Sequence, residues 1–108
     1  MFCDQALAAR IEAAEVDLLA SACAHVRRRL PETYTATIGG GLAALTEPGS
    51  PLNKVAGLGF APFDEAAWEA IVAEHDRCNA PIQVELSTLG DPAIGAFLTA
   101  HGHRLVGV

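Results

Sequence analysis

The chain has 108 residues, one small domain's worth, and a domain of this length buries roughly two thirds of its unfolded surface. Apolar residues make up 51% and charged residues 19%, which excludes a disordered chain. Lys plus Arg number 7 against 13 Asp plus Glu, for a net charge of -6, and this argues against nucleic acid or an anionic membrane surface as a partner.

No run approaches the ~18 consecutive apolar residues of a membrane span. Residues 1–19 carry Asp4, Arg10, Glu12, Glu15 and Asp17, a charge density that breaks the apolar stretch of a signal peptide. Cys3, Cys23 and Cys78 are far apart and odd in number, with no Cys-x-x-Cys pair. Free thiols suit a reducing compartment, so a cytoplasmic location is expected.

The first element is a long helix. Leu7, Ile11, Ala14, Leu18, Ala22, Val26 and Leu30 recur every three or four residues and predict one apolar face. Asp4 can cap its start and Pro31 stops it. Arg27, Arg28 and Arg29 fall in its last turn, where the helix dipole favours positive charge; dipole compensation is the preferred reading over an anion site. Residues 33–38 alternate and are β-branched, as a strand requires. Gly39-Gly40-Gly41 reads as a hairpin turn or as a bulge within one long strand. A phosphate loop would need Gly-Lys-Ser/Thr opening a helix, which is missing.

Glu47-Pro48-Gly49-Ser50-Pro51 is a loop, and residues 53–60 form a short apolar strand. Asp64 caps a second helix with Trp68, Ile71, Val72 and His75 on one side, ended by Asn79-Ala80-Pro81. Residues 81–87 alternate strictly, with Ile82, Val84 and Leu86 on one face and Gln83, Glu85 and Ser87 on the other. Asp91-Pro92 opens a third helix, faced by Ile94, Phe97, Leu98 and His101 and closed by Gly102. Residues 104–108 read as a final strand. The chain ends inside that apolar run with no polar tail, which suggests part of something longer.

Candidate chemistry is sparse. His101 and His103 straddle a helix-ending glycine and point apart, and no third ligand stands at a metal-site spacing, so no metal is expected. His25 and His75 sit alone in helical patterns. Cys78 lies near a helix C-terminus, the wrong end for a nucleophilic thiolate. No Gly-x-Ser-x-Gly elbow exists. A strand inside an α/β layer is normally apolar on both faces, so the polar face of residues 81–87 points to an edge or a cleft wall. Glu85 on that face is the candidate general base, against the competing reading of a solvated sheet face.

The phrases Gly40-Gly41-Leu42-Ala43, Pro48-Gly49-Ser50-Pro51-Leu52-Asn53-Lys54-Val55-Ala56-Gly57-Leu58-Gly59-Phe60 and Pro81-Ile82-Gln83-Val84-Glu85-Leu86-Ser87 with Asp91-Pro92 carry a likeness. Through them residues 40–108 resemble the N-terminal half of certain bacterial GNAT-type N-acetyltransferases. The resemblance implies an α+β fold: a GNAT-like mixed sheet of about five strands flanked by about three helices, as one domain over residues 1–108, with a second half downstream. In that family acetyl-CoA enters a splay between two central parallel strands, and its pyrophosphate rests on a Gln/Arg-x-x-Gly-x-Gly/Ala turn at a helix N-terminus. The matching place here is residues 55–62, with Val55, Gly57 and Gly59 as the cofactor-binding positions. The acetyl group would pass directly to an amine, whose ammonium proton Glu85 would take.

Three departures weaken the cofactor site. No Arg or Gln stands at the right offset before Gly57 or Gly59. Asp64 and Glu65 place negative charge where the pyrophosphate would lie, at on the order of 1–4 kcal/mol for each contact at ~4 Å. Leu98 occupies the position of the family's frequent general-acid Tyr. The sequence therefore predicts that this chain alone does not hold acetyl-CoA. It predicts an incomplete or non-catalytic half that associates as a homodimer, through the last strand or the first helix, or with a downstream half.

Overall fold

The computed structural model describes residues 4–103. Each of the three helices starts on an aspartate whose side chain accepts a first-turn amide: Asp4 from Leu7, Asp64 from Ala66 and Asp91 from Ala93, at 2.8–2.9 Å. Helix α1 runs Gln5–Arg27, α2 Glu65–Arg77 and α3 Pro92–Ala100. Proline at the start of α3 costs no hydrogen bond there, because the first-turn amides have no helical acceptor.

Strands β1 (Tyr34–Ile38), β2 (Gly41–Leu45), β3 (Lys54–Leu58) and β4 (Val84–Leu86) form one mixed sheet in the order β1-β2-β3-β4. The first three are antiparallel neighbours, and β3 pairs with β4 in parallel across the α2 crossover. Ile38 faces Gly41 in register, so Gly39 and Gly40 make a two-residue hairpin turn, both with positive φ as a primed turn needs. Of the two readings left open for the glycines, the structure takes the hairpin. Asn53 secures the next loop: its Oδ1 accepts from the Thr46 amide and hydroxyl, and its Nδ2 donates to the Glu47 carbonyl.

The sheet is covered on both faces, which is why all of β2 is buried. Ala43 and Val55 face Trp68 and Ile71 of α2 and Ile94 and Leu98 of α3. One residue along, Leu42, Ala44 and Ala56 face Leu19 and Cys23 of α1, as the period of two demands. An aromatic cluster joins α2 to α3, with Phe63 5.0 Å from Phe97 edge-on and Trp68 6.5 Å from Phe97.

Three expectations change. The described residues hold four strands, and the fifth, residues 104–108, lies outside them, as does Cys3. The run 81–87 is a strand only over Val84–Leu86, last in the order of the described strands. The apolar face of α1 is turned: Ala8, Leu19 and Cys23 are buried, while Ile11 and Leu18 of the expected inward face are 50% and 67% exposed. The cause is the sheet surface beneath, built from Ala44, Ala56 and Gly57. It is low enough for the α1 backbone to lie close, and Val16 fills the hollow over Gly57, where any Cβ would overlap Val16 Cγ2.

Candidate functional site

The parallel pair β3/β4 contains the positions that the sequence singles out. Val55 pairs with Val84 and Leu58 with Leu86, so β3 spends one residue more than β4 over the same span. This bulge centres on Gly57, whose φ of +85° is unfavourable for any residue with a side chain. A bulge of this kind re-aims the strand end and would begin to part the two strands.

The parting goes no further. Gly59 follows with φ +104°, and its carbonyl accepts the Asp91 amide at 2.8 Å. A Cβ at Gly59 would lie 3.0 Å from both Gly90 Cα and Asp91 N. The carboxyl end of β3 is thus joined, backbone to backbone, to the start of α3. The turn behind it is also filled. Phe63 packs on Trp68 and Phe97, and the Pro62 carbonyl lies against the β1–β2 hairpin at Gly39. At the N-terminus of α2 the Asp64 carboxylate already takes the Ala66 amide, and Glu65 adds a second negative charge.

Val55 is fully buried, with its amide donating to the Gln83 carbonyl at 2.8 Å and its side chain in the α2/α3 core. Gly57 and Gly59 are buried beside it. Glu85 is elsewhere. Its carboxylate is 60% exposed and pairs with Lys54 Nζ at 2.7 Å on the α1 side of the sheet. There it borders a shallow cleft of about 300 Å³ with Ile11, Glu12, Glu15, Ala56 and Leu86. Burial, then the charges of Glu15 and Glu85, hold the Glu12 carboxyl above the usual range. The structure brings Gly57 and Gly59 together and leaves Glu85 on the opposite face from α2.

Several of the other singled-out side chains have structural partners. His101 stacks on Phe97 and its Nδ1 lies 2.8 Å from the Phe97 carbonyl, while His103 packs edge-on against Trp68. Among the described residues no group of three His, Cys, Asp or Glu is placed to hold a metal ion. Arg27 donates to the Thr33 carbonyl and the Thr35 hydroxyl, and Arg29 pairs with Glu47. Cys78 caps α2, exposed, with Sγ 3.9 Å from Glu74 Oε1.

Sequence reasoning missed a larger cavity of about 500 Å³ at the other end of the sheet, between Leu45, Pro48, Cys78, Pro81 and Gln83. The only signal was two Pro-containing turns, at 48–51 and 79–81, and nothing local says that they meet. Among the described residues no helix is long and apolar enough to cross a membrane. Comparison of the chain with protein-family models, with curated proteins and with solved structures gives no match.

Proposed function

We propose that this chain is a GNAT-like α+β domain whose acyl-CoA wedge is closed, and that it works as a non-catalytic association module for an acetyltransferase-type protein. The strand plan supports the likeness: an antiparallel three-strand meander whose last strand leads through α2 to a parallel partner, with a bulge in that last meander strand. The observation that carries the closed reading is the Gly59 carbonyl bonded to the Asp91 amide. An inserted thioester arm would have to break that bond and separate two backbones in contact.

Two further features agree with it. A pyrophosphate at the α2 N-terminus would meet Asp64 and Glu65 rather than free amides. A proton-accepting Glu85 would have to leave Lys54 and act from the wrong face of the sheet. The unpaired Cys23 and Cys78 fit a reducing cytoplasm.

Calorimetric titration with acetyl-CoA at moderate salt tests the reading. No binding heat is expected up to about 100 μM ligand. A micromolar dissociation constant, with amide shifts at Gly57, Gly59 and Phe60, would overturn it.

A further inference from the structure

The outer side of α1 carries a second apolar stripe, about a quarter turn from the face that the sheet buries. Leu7, Ile11, Ala14 and Leu18 follow one another at steps of four, three and four residues, the spacing of a helix-pairing seam. Ile11 and Leu18 are the two large apolar side chains that α1 leaves in the open, with Ala14 exposed between them.

Arg10 and Asp17 flank this stripe on one side, two helical turns apart, and both are exposed. The ion pairs among the described residues are Arg29–Glu47, Lys54–Glu85 and Glu74–Arg77, and neither Arg10 nor Asp17 takes part in one. The pattern is self-complementary on reversal. When a second α1 lies antiparallel with the twofold axis between residues 12 and 13, Leu7 meets the partner's Leu18 and Ile11 meets the partner's Ala14. Arg10 then meets the partner's Asp17, and by symmetry this occurs twice. Large residues oppose small ones at the centre, which lets the two backbones approach. In a parallel pair Ala14 would leave a gap against its own copy, Asp17 would face the partner's Ala22 and Arg10 the partner's Glu15.

We infer that the outer stripe of α1 is a homodimer seam in which two copies of this chain pair their first helices antiparallel, with reciprocal Arg10–Asp17 contacts. This supplies a partner for the association module proposed above and rests on that reading. One helix contributes less than the roughly 1,200 Å² of a standard interface, so the dissociation constant is expected at about tens of micromolar.

Sedimentation equilibrium of the whole chain, from about 1 to 500 μM at low salt, is the test. The wild type is expected to pass from monomer to dimer in that range. L18E, at a position 67% exposed, should raise the dissociation constant at least about tenfold with an unchanged circular dichroism spectrum. Should L18E not fold, A14E makes the same test at an exposed, small site. D17R should weaken the dimer several-fold, because two arginines then meet, and R10D/D17R should bring it back to within about twofold of wild type. A monomer at every concentration overturns the seam. A dimer indifferent to L18E and A14E overturns the seam and leaves the association reading standing. A double variant weaker than D17R overturns the antiparallel arrangement, since in a parallel pair the carboxylate introduced by R10D would meet the partner's Glu15. The acetyl-CoA titration bears on the closed wedge alone, so the two proposals fail separately.

Discussion

His75 is 1% exposed on the inner face of α2, and among the described residues neither ring nitrogen has a hydrogen-bond partner. A buried polar group left unpaired costs about 1–3 kcal/mol, whereas an apolar side chain of similar volume avoids that cost. The backbone here does not depend on the ring, since the Ala80 amide bonds to the His75 carbonyl. We expect H75L to raise stability by about 1 kcal/mol or more and the melting temperature by several degrees in calorimetry. A lower melting temperature would show that the imidazole has a partner and is not a burden. His75 was legible as a member of the Trp68–Ile71 face from spacing alone. Its lack of partners depends on side chains that other elements supply.

At the scale of elements, the contact between the end of β3 and the start of α3 decides the character of the molecule. The two pieces meet through glycines, Gly59 and Gly90, because only residues without a Cβ let the backbones come this close. At Gly59 the φ of +104° adds a conformation that side chains strongly resist. G59A is expected to cost at least about 2 kcal/mol in urea unfolding, from the strained backbone and the 3.0 Å contacts together. It should also speed hydrogen exchange at the Asp91 amide, which would lose its acceptor. A variant as stable as wild type, with that amide still protected, would mean that the two segments can separate at little cost. The caps and proline of α3 were readable, being properties of adjacent residues. The bond from Asp91 back to Gly59 was not, since the two positions are far apart in sequence and neither type demands the other.

For the whole molecule the layers explain why the proposed association falls on α1. Helices α2 and α3 share one face of the sheet and cover one another with Phe63, Trp68 and Phe97, while among the described residues α1 is the one helix on the other face. A single helix over a sheet buries one stripe and offers the rest to solvent or to a partner. Pairing of two copies stabilises only the folded form, so the melting temperature should rise with protein concentration. A hundredfold increase around the dissociation constant should raise it by a few degrees in wild type and leave L18E unmoved. A concentration-independent melting temperature in the wild type would contradict a coupled dimer.

Sequence by itself determined what adjacent residues dictate. The three Asp caps, the stop at Asn79-Ala80-Pro81, the Gly102 end of α3, the alternation of β1 and the α+β order all follow from local backbone preference and from periods of 3.6 and two. The exposure of Glu85 on β4 was also within reach, because a polar face on a strand signals incomplete cover. Tertiary structure alone decided the phase of α1. Leu18 and Leu19 are neighbours of equal apolarity, and periodicity favours the stripe through Leu18, but a sheet surface of alanine and glycine admits the one through Leu19. It also decided that the strand bulged at Gly57 ends in a backbone bond from Asp91 to Gly59, and that Glu85 stands across the sheet from α2. The physical reason is shared. Periodicity tells which residues lie on one side of an element, while the shape of the opposing surface determines which side turns inward and how near two backbones come.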